Sequence, residues 1–528
     1  MPNAIDIFVG LMLAVAALAL VARRLHIPYP ILFVIGGLLL GLIPGIPKMR
    51  LDPELVFVFF LPPLLFPAAL FTSWRDFRAN LRGISLLAIG LVLFTTVTVA
   101  LLAHYFMGMS LAAGFVLGAI VSPPDAIAAT AIAQRLRIPH RIVTILEGES
   151  LVNDATALVV YRFAVVAVAT GSFSWSQAGG QFLIVSLGGI LVGLAVGWLA
   201  TWFHRRVEDA PIEITVSLLT PFAAYLPADH LGVSGVLSVV TAGLYLGWRL
   251  PEITDYRTRM AARPVWDMTG FLLNGFVFIL IGLQLPTVLD GLAAAAIPTR
   301  QLVWYSVLIS VAVIVVRILW VFPATYLPRM LFKSIREKDP CPSWRHVAIV
   351  AWTGMRGVVS LAAALGLADQ GDRAFPGRDL ILFLTFVVIL VTLVLQGLSL
   401  PALIRWLGIK DDGNLEAEER AARLKANQAA LAKLDEVSQT EPSKTEAMHR
   451  LRVEYEDHIM QLKALSPGRA GKQIRLFSAE YERLSQVALV QERKTILELR
   501  NDSTISDEVL REIQRDIDLA EARLKHHQ

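Results

Sequence analysis

Glu149-Ser150-Leu151-Val152-Asn153-Asp154 sets two carboxylates, an amide and a hydroxyl within six residues, and long apolar runs flank them on both sides. A charged side chain near a bilayer centre costs about 2.5–3.5 kcal/mol on insertion scales. Nothing in building a membrane helix requires that cost, so an acid kept there points to cation or proton binding. On a helix, Asp154 and Ser150 lie four apart and share a face. Glu149 lies about 140° around the axis from Asp154, so the two acids look into different surroundings. Two jobs follow. Asp154 can face a water-filled cavity and titrate, whereas Glu149 needs a permanent partner inside protein.

Two interrupted stretches complete the constellation. Val121-Ser122-Pro123-Pro124-Asp125 falls within one apolar run and Thr353-Gly354-Met355-Arg356-Gly357 within another. Pro123 and Pro124 remove backbone donors and disrupt the helical ladder. Gly354 and Gly357 weaken a helix more mildly. Broken helices at corresponding places in two halves point to a transporter's midplane site. Irregular backbone at that depth must line a cavity or be buried in protein. Hard cations take oxygen ligands. Asp154, Asp125, Ser150 and the carbonyls freed around Ser122 could therefore hold Na+, and Asp154 could hold a proton instead, each guest displacing the other. Arg356 is the expected structural partner of Glu149, because Arg162 lies too far along its own helix. Such a pair can be fully hydrogen-bonded, and losing one member strands the other.

These residues need a polytopic scaffold. The chain has 528 residues, 55% hydrophobic and 17% charged, too apolar for a soluble domain and too charged for membrane helices alone. Position resolves the contradiction. We expect a transmembrane domain over 1–408 and a soluble, helical, cytoplasmic tail over 409–528. The expected class is all-α, with about thirteen spans near 4–22, 29–46, 54–71, 83–105, 110–134, 141–170, 179–203, 211–226, 233–249, 264–286, 301–328, 344–368 and 378–406. The two broken spans then occupy matching places in two inverted repeats.

Loop charge gives orientation. One series carries Arg23/Arg24, Arg75/Arg78/Arg82, Arg135/Arg137/Arg141, Arg205/Arg206, Arg257/Arg259/Arg263 and Arg329/Lys333/Arg336/Lys338. The alternate loops around Gly108, Gly171 and Asp229 have no Lys or Arg, with Lys48/Arg50, Arg300 and Arg373/Arg378 as exceptions. The richer series is expected in the cytoplasm, the N-terminus outside and the tail inside. The first apolar run, Ile5 to Val21, lacks a basic n-region and reads as a retained membrane helix. The single cysteine, Cys341, leaves no internal disulfide. A net charge of +4 reflects basic membrane loops rather than a nucleic-acid partner.

The segment Gly148 to Asp154, the break with Asp125-Ala126-Ile127-Ala128, Gly354-Met355-Arg356-Gly357 and Leu61-Pro62-Pro63-Leu64-Leu65 together resemble the sodium/proton exchangers of the monovalent cation/proton antiporter family, electroneutral branch. The tail resembles a bacterial branch, which implies the inner membrane. The resemblance implies an exchanger of one Na+ (or Li+ or K+) for one proton that needs no cofactor. It implies that Asp154 binds ion and proton alternately. Asn153 stands where electrogenic relatives carry a second aspartate, so one charge is exchanged. Glu149 and Arg356 match the family's ion pair. The resemblance further implies a homodimer in lipid, with a dimer domain (about 4–71 and 179–286) and a core (about 83–170 and 301–406) holding both broken, crossing helices and moving elevator-fashion. Pro67 is a departure, since many relatives carry an acid there.

Two other classes fit less well. A cation channel would need a carbonyl filter or acidic ring that the sequence lacks. An intramembrane enzyme could use paired acids, but no H-E-x-x-H or G-x-S-x-G motif is present. Helix–helix hydrogen bonding explains Asn274 and Gln284 about as well as an ion path does. Arg317 and His346 could reach an interface or cavity, with snorkelling as the plainer reading. His104, near an outer end, could tune a pH response. In the tail, Leu424, Leu431 and Leu434 form one helical stripe, Ser466-Pro467-Gly468 breaks the pattern, and Ser506 starts a helix with Leu510, Ile513, Ile517 and Leu524 on one face.

Overall fold

The computed structural model describes residues 4–25, 27–43, 56–136, 138–171, 175–294, 297–367, 375–409, 411, 413–440, 445–464, 469–502, 504 and 506–525. Lys48, Arg50, Arg137, Arg373 and the Ser466-Pro467-Gly468 break lie outside them. Among the described residues all regular structure is helical. The chain divides into two compact units, Met1–Asp411 and Asp412–Gln528.

The first unit contains α1 (Ala4–Leu25), α2 (Tyr29–Gly41), α3 (Leu61–Leu70), α4 (Leu81–Met107), α5 (Leu111–Val121), α6 (Ile127–Arg135), α7 (His140–Thr170) and α8 (Trp175–His204). It continues through α9 (Ala210–His230), α10 (Gly235–Ile253), α11 (Tyr256–Leu283), α12 (Thr299–Leu331), α13 (Trp344–Trp352), α14 (Val358–Leu365) and α15 (Arg378–Leu407). Seven helices among the described residues are long and apolar enough to cross a bilayer. The remaining expected spans are shorter, more polar or split. Those near 110–134 and 344–368 are pairs of half-helices, α5/α6 and α13/α14, because the two breaks end one helix and start the next.

The order helix, broken helix, helix therefore occurs twice: α4, α5/α6, α7 and again α12, α13/α14, α15. These elements pack on one another, α4 and α7 against α5, α12 against α4 and α13, and α15 against α14. A second group joins α8 to α10, α10 to α3, α9 to α10 and α11, and α2 to α11. The last pair touches backbone to backbone: a Cβ on Gly282 would overlap the main chain of α2 at Val34, Gly37 and Leu38. Small residues allow such close approach where lipid leaves no hydrophobic drive between helices. Leu13 of α1 and Ile184, Leu187 and Leu191 of α8 stay exposed, a surface that suits lipid.

At the arginine-rich end, Asp339 gathers three helices. Its Oδ1 accepts from Arg141 of α7 at 2.6 Å, and its Oδ2 accepts from Arg82 of α4 and Arg329 of α12, each at 2.6 Å. Burial pushes this carboxyl up, but the Arg141 hydrogen bond and the charges of Arg141, Arg329 and Arg82 outweigh it and hold it below the usual carboxylate range. The stabilisation is thus complete above the unfolded-state value near 3.9 and fades only as pH falls through the lower folded value. Asp339→Asn should lower thermal stability by about 1–3 kcal/mol. The loss should be equal at pH 5.5 and pH 8.5, as followed by thermal unfolding; a loss that vanished at one of them would contradict the clamp.

The second unit comprises α16 (Asn414–Thr440), α17 (Thr445–Ala464), α18 (Arg469–Asn501) and α19 (Asp507–Lys525). Leu424, Leu431 and Leu434 are half-buried on α16, which packs on α17. The Ser506 hydroxyl caps α19 by accepting from Val509 N at 3.3 Å, as its position before an apolar stripe predicts. Leu510 and Ile517 bury against Ile496 of α18, with Ile513 beside them.

Candidate functional site

The site is built where the two breaks cross. Asp125 N donates to the Met355 carbonyl at 2.6 Å, joining the two irregular segments main chain to main chain. Gly357 lies against the Asp125 carboxylate, in a space that a Cβ would fill. Each break leaves helix ends deep in protein, and side chains partner several of them. Arg356 Nε donates to the Val121 carbonyl at 2.9 Å, and its remaining nitrogens reach the Gly354 and Ser122 carbonyls. A cation there meets the negative end of half-helix α5. Asp125 Oδ1 accepts from Ile127 N at 2.8 Å, putting an acid at the positive start of α6. The Thr392 hydroxyl, on a π-helical turn of α15, accepts from Arg356 N at 3.0 Å.

α7 is stitched to this crossing. Asn153 Nδ2 donates to the Pro124 carbonyl at 2.7 Å, and the Ser150 hydroxyl accepts from Ala126 N at 3.4 Å. Pro123-Pro124 is therefore what gives Asn153 its partner: the helix stops, and a carbonyl becomes free to accept. Asp154 follows directly. It is only 7% exposed and takes no hydrogen bond among the described residues. The Asp125 carboxylate is close enough to repel it. Asp154 and Asp125 are thus within electrostatic reach of one another, with the Ser150 hydroxyl and the interrupted backbone from Pro124 to Ile127 beside them. Among the described residues no three His, Cys, Asp or Glu side chains cluster as for a resident metal.

The expected Glu149–Arg356 pair is not what the structure holds. Glu149 accepts from Arg317 of α12 in a fork, Nη1 to Oε1 at 2.5 Å and Nη2 to Oε2 at 2.8 Å. Arg317 also donates to the Val350 carbonyl of α13 from Nε at 3.1 Å and Nη2 at 3.0 Å. Arg356 is within electrostatic reach of both, but its guanidinium is committed to the helix-end carbonyls. Arg317 is 0% exposed, which also corrects its reading as a snorkelling side chain. The signal was available: Arg317 stands 18 residues from Thr299 and 14 from Leu331 in α12, more than ~20 Å from either end. No side chain snorkels that far.

Arg162 pairs with Asp229 of α9 at 3.0 Å, away from Glu149 as expected. Exposed His104 bonds the Met109 carbonyl at 2.8 Å. Asn274 Oδ1 and Asn153 Oδ1 are buried without a protein partner among the described residues. Gln284 is buried and His346 half-buried.

A family model described as sodium/hydrogen exchanger, transmembrane, matches residues 10–406. The chain belongs to the sodium/hydrogen exchanger family. Its members are transporters, so this is not an enzyme. It is 37% identical over 523 residues to an uncharacterized Na+/H+ exchanger of Mycobacterium tuberculosis, covering 98% of this chain and 96% of the relative. It is 35% identical over 414 residues to a sodium, potassium, lithium and rubidium/H+ antiporter of Bacillus subtilis, covering 75% of this chain and 61% of the relative. The sodium proton antiporter structure MjNhaP1 from Methanocaldococcus jannaschii shares the fold, with TM-score 0.61 and 21% identity over 76% of this chain and 99% of that one.

Proposed function

We propose that this exchanger moves one Na+, or Li+ or K+ in its place, against one proton across a bacterial inner membrane, with Asp154 as the alternating carrier. The observation that supports this most is the Asp154 carboxylate: buried, without a hydrogen-bond donor among the described residues, and set against a second acid at the crossing of two broken helices. A carboxylate in that setting needs a positive guest. A proton satisfies it by bonding, and a small cation satisfies it with help from Asp125, the Ser150 hydroxyl and freed carbonyls. The four monovalent ions for which the Bacillus subtilis relative is named agree with several ions competing for one such locus.

Asn153 is an amide already spent on Pro124, so Asp154 is the acid of the pair on α7 that can change charge. One carrier charge then crosses with either guest, which makes the exchange electroneutral. The elements around the crossing, about 83–170 and 301–406, form the moving body. About 4–71 and 179–286 form the static half through which two copies pair, and alternating access follows from sliding one against the other. The N-terminus lies outside and the arginine-rich ends and tail in the cytoplasm. In proteoliposomes, Na+ added to one side should dissipate a preformed pH gradient equally with and without an imposed membrane potential. An exchange equilibrium that moves with potential would overturn the one-for-one stoichiometry.

A further inference from the structure

A second titratable cluster lies far along the chain from Asp154, in the half without broken helices. His204 ends α8, Glu213 is in the first turn of α9, and Thr258 is in the first turns of α11. All three are buried, His204 at 2% and Glu213 at 1% exposure. His204 Nδ1 lies 3.2 Å from Glu213 Oε2, and the Thr258 hydroxyl donates to Oε1 at 3.2 Å. Each carboxylate oxygen thus has one neighbour within hydrogen-bond distance, and an imidazole carrying its proton on Nδ1 can donate to Oε2. The other imidazole nitrogen, Nε2, is buried and has no hydrogen-bond partner among the described residues.

Among the described residues Glu213 has no ion pair besides the one with His204. Just after α8, Arg205 is exposed, and Arg206 stacks 3.9 Å over Trp202 and bonds its carbonyl. Before α9, Glu208 is exposed and Asp209 caps Ile212 N at 3.2 Å. On α10 Arg249 stacks on Trp248 at 4.1 Å and pairs with Glu252, while Tyr245 packs higher up against Gly197. On α11 Arg257 lies over Tyr256, Arg259 bonds the Thr254 carbonyl, Arg263 lies over Phe71, and Asp255 and Asp267 are exposed. The residues of α3 carry no titratable group.

We infer that His204 and Glu213 form a second proton-binding site, distinct from the ion carrier, whose loading sets how exchange responds to pH at the arginine-rich face. A buried carboxylate facing one imidazole carries a net negative charge until Nε2 takes a proton, and the resulting imidazolium cancels it. The placement favours loading, since the cation sits at the C-terminal end of α8 and the anion at the N-terminal start of α9. Loading tightens a staple that holds three helix ends. α11, one of the three, packs directly on half-helix α14, which continues from the second break, so the staple is in mechanical contact with the crossing. Imidazole is the side chain suited to such a switch between pH 5 and 8.

This inference rests on the antiport reading, and the test separates the two. Exchange is measured in proteoliposomes of the full chain between pH 5.5 and 8.5 for the unmodified protein, His204→Asn and Thr258→Val. The asparagine amide keeps a donor toward Glu213 but cannot take the further proton. At pH 8.5 His204→Asn should exchange within about twofold of the unmodified protein, and by pH 5.5 the two rates should differ by about threefold or more. Thr258→Val, which removes one donor from the carboxylate and so leaves its negative charge a stronger attractor of the proton, should move the midpoint of the profile toward alkaline pH and serves where His204→Asn does not fold. Profiles that superimpose on the unmodified one would overturn the site. Absence of exchange in the unmodified protein would instead overturn the antiport reading.

Discussion

Asp154→Asn is expected to reduce cation-driven proton movement to the background of empty liposomes without unfolding the protein. The amide has nearly the carboxylate's shape but can neither release a proton nor offer a charge to Na+. Both half-reactions fail together. The structural argument for intact folding is equally direct. Asp154 accepts no hydrogen bond among the described residues, so the substitution orphans no donor. It also removes repulsion between Asp154 and Asp125 in a poorly solvated place. The unfolding temperature should therefore stay level or rise. The check pairs a pH-gradient assay with thermal unfolding of the same preparation. Exchange that persists in Asp154→Asn would remove the carrier assignment, and lost exchange with lost folding would show that the residue is structural.

Arg317→Ala is expected to be the most destabilising single change in the membrane unit. It removes both donors from Glu149 and leaves an uncompensated charge where exposure is 1%. Breaking such a pair costs about 3–5 kcal/mol, a large share of the roughly 5–15 kcal/mol that folded domains possess. The Val350 carbonyl loses its donors too. Arg317→Lys should rescue little, since an ammonium cannot bridge both carboxylate oxygens and the carbonyl in one plane. The double change Glu149→Leu with Arg317→Met should recover most of the stability, because apolar replacement of a whole buried pair is close to neutral. Thermal unfolding in detergent decides it: an Arg317→Ala protein as stable as the unmodified one would show that Glu149 draws its compensation elsewhere, with Arg356 the first place to look.

What the sequence made legible is local. Prolines, glycines and intramembrane acids have steep local consequences, so both breaks fall where Pro123-Pro124 and Gly354/Gly357 put them, and the Ser506 cap follows from one residue before an apolar stripe. The Glu149 partner was a question of another kind. Arg356 and Arg317 are both deep cations, and which of them meets the acid depends on how α12 lies against α7 and α13, a tertiary fact without a local signature. The carbonyls that claim Arg356 become available only because α5 stops at Val121. His204 and Glu213 escaped notice for a similar reason. They are nine residues apart across a turn, and only the antiparallel return of α9 along α8 turns that separation into contact.

The bond from Asp125 N to the Met355 carbonyl, with Arg356 reaching back to Val121, has a bearing on which movements the molecule can make. It rivets the two interrupted strands of chain at their midpoint. Neither can pivot about its own gap without tearing the other's fastening and exposing amide groups to a medium that cannot solvate them. On the proposed exchange cycle the crossing would then travel as a single rigid cargo hold, and whatever gives way would do so along the hold's outer walls.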